Sequence, residues 1–126
     1  REVVDPESGL MDTLPFLRRT LWRAGLEDSV VPIVGRSETV ARFWATQLAL
    51  LFVDGGHAED IAPSDFDRWS PHVRVGGHLA FHDIFEDPAQ GGQAPWRVWS
   101  RALASGRWRE IRDWRCGSLR IAERLS

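Results

Sequence analysis

The residues that decide the fold run from Leu48 to His57 and read LALLFVDGGH. The first six are continuously apolar, which is typical of a strand that is covered on both faces of a parallel sheet. Asp54 and two glycines then end the apolar run. Because ligands of open α/β sheets bind at the carboxyl ends of such strands, this stretch predicts a buried strand whose end carries a candidate functional acid.

A second acid follows a second short strand. The stretch His78–Phe81 predicts a strand, and His82 and Asp83 come directly after it. Neighbouring strands lie about 4.8 Å apart, so Asp54 and Asp83 emerge at the same edge if the two strands are parallel neighbours. With His82 or His57, they offer the carboxylate and imidazole ligands that can hold Mg²⁺ or Mn²⁺.

The role of His57 stays open among a general base, a metal ligand and a hydrogen-bonded loop residue. Asp54 alone would also fit a turn or helix-capping acid, and it is the pairing with His82 and Asp83 that favours a functional site. No Gly-x-Ser-x-Gly motif occurs, which disfavours a serine hydrolase of that kind. All 16 basic residues are arginine, which excludes lysine-based Schiff-base chemistry.

Strands and helices alternate through most of the chain, which predicts an α/β fold with a mainly parallel sheet. Gly76 and Gly77 predict a turn before the second strand, and the last twenty residues predict two strands around Cys116 and Gly117. The remaining expected elements are a helix from Leu14 that ends at Gly25, a short strand at Val30–Val34, a helix over Arg36–Trp44, a helix opened by Pro63, and a helix holding Trp96, Trp99 and Leu103.

The composition limits the classes of protein. A chain of 126 residues with 43% hydrophobic and 27% charged residues fits one globular domain. The longest apolar run has six residues, so no membrane-spanning helix is expected. Cys116 is the single cysteine, which suits a reducing compartment, and we expect a cytoplasmic protein.

Charge is unevenly distributed. The net charge of −2 gives no general attraction to nucleic acid or anionic membranes, yet the segment from Asp54 to Asp87 carries eight acids and two arginines, a net −6. Such a segment either holds a cation or consists of solvated acids. Trp108 and Trp114 lie among arginines and either stack on single-stranded nucleic acid or cover the sheet; the second interpretation is favoured.

These residues resemble a family. The stretch Leu51–His57, Asp65 with Trp69, and the stretch Val75–Asp83 are similar to the class I S-adenosylmethionine-dependent methyltransferases. The resemblance is narrower to the branch of metal-assisted O-methyltransferases of antibiotic and sugar tailoring, of the macrocin and cephamycin types. It implies a Rossmann-like fold with a mainly parallel sheet, helices on both faces and an antiparallel C-terminal strand, and methyl transfer to a small-molecule hydroxyl.

The resemblance also implies a metal site. It makes Asp54 and Asp83 ligands of Mg²⁺ near the acceptor hydroxyl. His82 stands where several relatives carry an acid as the third ligand, and this is a departure from the family pattern.

Cofactor and acceptor contacts follow from the same resemblance. The turn after the apolar strand, Asp54 and Gly55, is expected to contact S-adenosylmethionine. His57 is expected near the acceptor, where it takes the acceptor's proton, and Asp54 is its catalytic partner. The three residues expected beside the adenine are Gly35, Arg36 and Ser37.

The first strand and glycine-rich loop of the family have no counterpart in these 126 residues. The chain therefore resembles the C-terminal two-thirds of a methyltransferase, with residues 1–126 as a single partial domain. Asp5 is either the ribose-binding acid or part of an insertion. An open sheet edge predicts a homo-oligomer. The alternatives to a methyltransferase are a metal-dependent hydrolase that uses the same acids and histidines, and a non-catalytic fragment.

Overall fold

The computed structural model describes residues 3–55 and 61–126. The chain divides into two compact units, Arg1–Gly35 and Arg36–Ser126. His57 lies outside the described residues. Within the described residues no helix combines the length and the apolar character that crossing a bilayer requires.

The first unit contains one helix, α1 (Leu14–Ala24). Asp12 Oδ1 accepts a hydrogen bond from the backbone N–H of Leu14 at 3.0 Å, and Gly25 ends the helix with a left-handed φ of 64°. The strand expected at Val30–Val34 is wrong, because these residues do not form a strand, and β-branched composition alone does not make one without a hydrogen-bonded neighbour.

The described residues of the second unit form a four-stranded sheet and three α-helices. In chain order the elements are α2 (Ser37–Ala41), β1 (Leu48–Val53), α3 (Ile61–Trp69), β2 (Val73–Phe81), α4 (Ala94–Ala104), β3 (Trp108–Glu110) and β4 (Arg120–Arg124). The helix expected over Arg36–Trp44 is thus shorter, with Arg36 as its N-cap, and the described part of α3 begins before Pro63.

The strand order is β1-β2-β4-β3. β1 and β2 are parallel, whereas β4 runs antiparallel to both β2 and β3. The α/β Rossmann-like fold is confirmed, and so are the two strands around Cys116 and Gly117. The described sheet is mixed where the sequence favoured a mainly parallel one, because the C-terminal strand pair supplies two antiparallel neighbours.

The turn expected at Gly76 and Gly77 is wrong, because both glycines lie inside β2. They create an irregularity in the pairing with β1, where Leu48 lies opposite Val73 but Leu50 lies opposite His78. Gly76 has a φ of 76°, and a Cβ atom at Gly77 would lie 3.0 Å from the carbonyl oxygen of Ala49. Glycine therefore lets β2 continue past a distortion that would end most strands.

The core of the second unit lies on one face of the sheet. Leu79, Phe81 and Ala122 point to this face and pack with residues of α3 and α4, of which Trp99 is the largest fully buried one. On the opposite face Leu50 and Phe52 are 56% and 54% exposed. Among the described residues of this unit, α3 and α4 pack against the core face.

Candidate functional site

The candidate site forms where β1 and β2 end side by side. Val53 lies opposite Phe81 in the parallel register, and the backbone N–H of His82 donates to the carbonyl oxygen of Val53 at 3.1 Å. Asp54 therefore emerges next to His82 and Asp83, as the rule for carboxyl ends of parallel strands predicts. The structure thus brings together the three residues expected to bind a metal.

The three side chains converge on one point. His82 Nδ1 lies 3.0 Å from Asp83 Oδ1 and 3.3 Å from Asp54 Oδ1. Taking one ligand atom from each residue, all three atoms lie within 4.8 Å of one another. Asp54 is 53% exposed and Asp83 is 22% exposed, so the cluster is open to solvent on the Asp54 side.

His82 Nδ1 lies between the two carboxylates of the cluster. The atom is buried and finds no hydrogen-bond partner among the described residues, although two carboxylate oxygens lie close to it. Mg²⁺ binds its ligands at about 2.0–2.1 Å in octahedral geometry, which places adjacent ligand atoms about 3.0 Å apart. The spacings of 3.0 and 3.3 Å from His82 Nδ1 match adjacent positions. The three ligand atoms all lie within 4.8 Å of one another and would need to close by about 0.6 Å to share one ion, so the residues present fit a divalent cation after a small movement.

A small cavity borders the cluster. Its volume is about 10 Å³, and Gly55 and Pro95 line it together with the three candidate ligands. A cavity of this size holds about one water molecule. The space inside this cavity therefore matches a single bound water or ion.

Asp83, one of the candidate ligands, has an unusual backbone conformation. Asp83 has a φ of 58° and is the only described non-glycine residue with a positive φ. Ile84, which follows it, is 1% exposed in the core and donates its backbone N–H to the carbonyl oxygen of Ser118 at 3.0 Å. Left-handed backbone costs of order 1–3 kcal/mol for such residues and concentrates at functional sites.

A larger cleft lies between α2 and α3. Its volume is about 560 Å³, and it is lined by Arg36, Ser37, Glu38, Ile61, Ser64 and Asp65. The indole Nε1 of Trp69 donates to Ser37 Oγ at 2.7 Å, which ties the two helices together and fixes the Ser37 side chain.

The cleft and the cluster are connected through Asp65. A Cβ atom at Gly55 would lie 2.8 Å from Asp65 Oδ2, so glycine is needed for this carboxylate to approach the end of β1. Two of the residues expected to bind the cofactor, Arg36 and Ser37, thus line one cleft whose wall reaches Gly55. Gly35 is the last residue of the first unit and does not line the cleft.

Two residues at this site were missed by the sequence analysis. Pro95 lines the cavity from the start of α4, and Ser118 Oγ donates to Asp83 Oδ1 at 3.5 Å. Both lie far along the chain from Asp54, and only the packing of α4 and the pairing of β4 bring them near. No local pattern signals such neighbours.

The C-terminal tryptophans have two different environments. Trp108 is 6% exposed in the core, whereas Trp114 is 51% exposed and its ring packs against His78 at 5.4 Å. The arginines around them are paired in part: Arg115 donates two hydrogen bonds to Glu110, which raise the pKa of its guanidinium. Trp108 therefore covers the sheet, which is the interpretation that the sequence favours.

A family model described as a methyltransferase domain matches residues 3–84. A protein of Corynebacterium glutamicum is 18% identical with a TM-score of 0.70; the match covers 98% of this chain and 59% of that one. A candidate rRNA-methylase from Clostridium thermocellum is 12% identical with a TM-score of 0.59, covering 86% and 65%. MycE methyltransferase from the mycinamycin biosynthetic pathway, in complex with Mg and SAH, is 22% identical with a TM-score of 0.49, covering 74% and 31%.

Proposed function

Because the chain belongs to the methyltransferase-domain family, we propose that it forms part of an enzyme that transfers a methyl group from S-adenosylmethionine to a small-molecule hydroxyl with the help of a divalent cation. The resemblance to class I methyltransferases stated above is thereby confirmed. The chain spans 59% of the Corynebacterium protein that it matches, so the activity is proposed for the whole protein. The observation that carries the proposal is the convergence of Asp54, His82 and Asp83 at the ends of two parallel strands.

Asp54, His82 and Asp83 are the proposed ligands of the cation. Two carboxylates supply negative charge, and a neutral imidazole supplies a lone pair at Nδ1. This set of one nitrogen and two oxygens suits Mn²⁺ as well as Mg²⁺. When bound there, the cation would act as a Lewis acid that lowers the pKa of an acceptor hydroxyl.

The cleft between α2 and α3 is the proposed place of the adenosine part of the cofactor. The carboxylates of Glu38 and Asp65 and the hydroxyl of Ser37 accept hydrogen bonds, and an adenosine offers an amino group and ribose hydroxyls as donors. Asp65 reaches from this cleft to Gly55. The cleft therefore leads toward Asp54, where the reacting groups would meet.

In the proposed reaction, the acceptor oxygen loses its proton and forms a bond to the methyl carbon as the bond from that carbon to the sulfonium breaks. We assign the proton to His57, which follows the Asp54 turn in sequence. Asp54 orients the acceptor oxygen in line with the methyl group, since a near-attack geometry supplies a large part of such rate enhancements. The products are the O-methylated acceptor and S-adenosylhomocysteine.

A small molecule is proposed as the acceptor in preference to nucleic acid, because the residues around the site are acidic. An acidic surface repels the phosphate backbone, whereas a small hydroxyl compound carries no such charge. The use of a single cysteine suits a reducing compartment, and a cytoplasmic location is proposed on that ground. The family match favours methyl transfer over the hydrolase considered above.

Chemical-shift mapping of the chain with S-adenosylhomocysteine tests the cofactor site. At millimolar ligand, the amides of Ser37, Gly55 and Asp65 should shift, and those of Trp108 to Glu110 should not, because β3 lies at the opposite edge of the sheet. Shifts that avoid the cleft would contradict the proposal. Manganese-dependent cleavage of a nitrophenyl phosphate ester, lost in Asp54→Asn, would instead favour the hydrolase.

A further inference from the structure

The turn from Cys116 to Leu119 lies against the candidate metal centre, although it follows Asp83 by more than thirty residues. The pairing of Phe81 with Arg120 brings it there. The carbonyl oxygen of Ser118 accepts the N–H of Ile84 at 3.0 Å, and Ser118 Oγ lies 3.5 Å from Asp83 Oδ1. One residue therefore contacts the backbone after Asp83 and the carboxylate of Asp83 itself.

The turn is held in a single shape by its own hydrogen bonds. Leu119 donates its N–H to the carbonyl oxygen of Cys116 at 2.8 Å, and Cys116 donates back to Leu119 at 3.3 Å. Arg120 Nη1 donates to the carbonyl oxygens of Gly117 and Leu119 at 2.6 and 3.1 Å. Gly117 has a φ of 55°, which the tight turn requires. Ser118 is thus presented to Asp83 from a fixed backbone.

Two features make the orientation of the Asp83 carboxylate important. Its positive φ is strained, and its Oδ1 atom faces His82 Nδ1 at 3.0 Å, so a small rotation would move the carboxylate out of the ligand set. Groups that hydrogen-bond to metal ligands fix their orientation and affect metal affinity. We propose that Ser118 is a positioning residue of the divalent-cation centre and holds the Asp83 carboxylate in its ligating orientation.

This inference rests on the proposed cation site, yet it extends the site beyond residue 84, where the matched family region ends. It also assigns a role in the site to the turn between β3 and β4, two strands that otherwise complete the sheet. The contribution comes from the hydroxyl, because the backbone hydrogen bond from Ile84 persists when the side chain is changed.

The test is Mn²⁺ affinity, measured by electron paramagnetic resonance of free Mn²⁺ with the full chain. Ser118→Ala should weaken binding about tenfold, the lower end of the range for groups behind a ligand. Ser118→Thr keeps a hydroxyl and should bind Mn²⁺ within about twofold of the unaltered chain. Ser118→Val has the size of the threonine variant but no hydroxyl, and its Mn²⁺ affinity should equal that of Ser118→Ala. Unfolding in urea, measured in parallel, separates affinity from stability.

Ser105→Ala is the matched control. Ser105 lies just after the end of α4, and its Oγ donates to the carbonyl oxygen of Ala102 at 2.6 Å. Pro95, which lies beside the site, is at the other end of α4, about 15 Å from Ser105 along the helix. This variant should lose stability and keep its Mn²⁺ affinity. Equal affinity of Ser118→Thr and Ser118→Val would overturn the inference and leave the cation site standing. No binding by the unaltered chain would overturn the cation site itself.

Discussion

Val53 lies opposite Phe81 at the ends of two parallel strands, and this register determines which side chains meet. Asp54 follows the first strand, and His82 and Asp83 follow the second, so their ligand atoms converge within 4.8 Å. A shift of one residue in the pairing would turn these side chains to the other face of the sheet. The burial of Leu79 and Phe81 on the core face therefore fixes the register of the two strands and, with it, the position of the site.

The loop that follows the site provides a stability prediction. A Cβ atom at Gly91 would lie 2.3 Å from Cδ2 of Phe85, whereas a Cβ atom at Gly92 would meet nothing within 4 Å. Gly91→Ala should therefore lower the free energy of unfolding by about 1–3 kcal/mol through overpacking. Gly92→Ala is the matched control and should change it by less than about 0.5 kcal/mol. Urea denaturation compares them, and equal effects would contradict the described packing of Phe85.

Much of this site is predictable from the sequence, because its signals are local. Six continuous apolar residues predict β1 at Leu48–Val53, and the acid that follows predicts a ligand at its carboxyl end. That two such ends share one edge follows from parallel pairing alone. The grouping of Asp54 with Asp83 therefore needs no tertiary information beyond the order of the strands.

Other features depend on contacts that no local pattern reveals. Val30–Val34 has the composition of a strand but does not form one, because a strand also needs a hydrogen-bonded neighbour that composition does not reveal. Gly76 and Gly77 have the composition of a turn, yet they lie inside β2, at the irregularity in its pairing with β1. Ser118 reaches Asp83 only because β4 pairs with β2.

The isolated chain should bind S-adenosylmethionine weakly. Affinity in dinucleotide-like sites depends on backbone amides of a glycine-rich loop and a helix N-terminus, and these 126 residues contain no Gly-x-Gly sequence. The contacts that remain are the cleft at Ser37 and the turn at Asp54. We expect a dissociation constant no better than roughly 1 mM, or about −4 kcal/mol, by isothermal titration. Micromolar binding would show that the remaining contacts suffice.

Association is expected through the edge of the sheet. Among the described strands, β1 has one neighbour, β2, and the adjacent Leu50 and Phe52 side chains are more than half exposed. An open edge beside apolar residues favours pairing with a second copy of the chain. In sedimentation velocity, the average sedimentation coefficient should increase with protein concentration. Phe52→Gln should shift the population toward the monomer. A monomer at all concentrations would refute this.

Asp5 provides a prediction for pH. Its Oδ1 atom accepts hydrogen bonds from the backbone N–H and hydroxyl of Ser8, at 2.7 and 2.8 Å, and from the N–H of Glu7 at 3.1 Å. These bonds lower the pKa of Asp5 below its ordinary 3.8, and the backbone N–H of Ser8 makes the largest contribution. Because the fold favours the charged form of Asp5, its hydrogen bonds stabilise the turn fully at pH values above 3.8. This contribution is lost as the pH falls through the lowered pKa of the folded chain.

Carboxyl carbon shifts measured by NMR report this titration directly. The midpoint of Asp5 should lie below 3.8 in the unaltered chain and move back toward it in Ser8→Ala, which removes the hydroxyl donor. A midpoint at or above 3.8 in the unaltered chain would contradict the described turn.

The central claim is that the strand ends form a divalent-cation site, and Mn²⁺ titration of the chain tests it most directly. The unaltered chain should bind one Mn²⁺, and Asp54→Asn should weaken that binding by more than about tenfold, because it removes a charged ligand next to His82. Asp67→Asn, which removes an exposed acid paired with Arg101 outside the cluster, should leave the affinity unchanged. Equal binding by Asp54→Asn and the unaltered chain, or binding by neither, would contradict the claim.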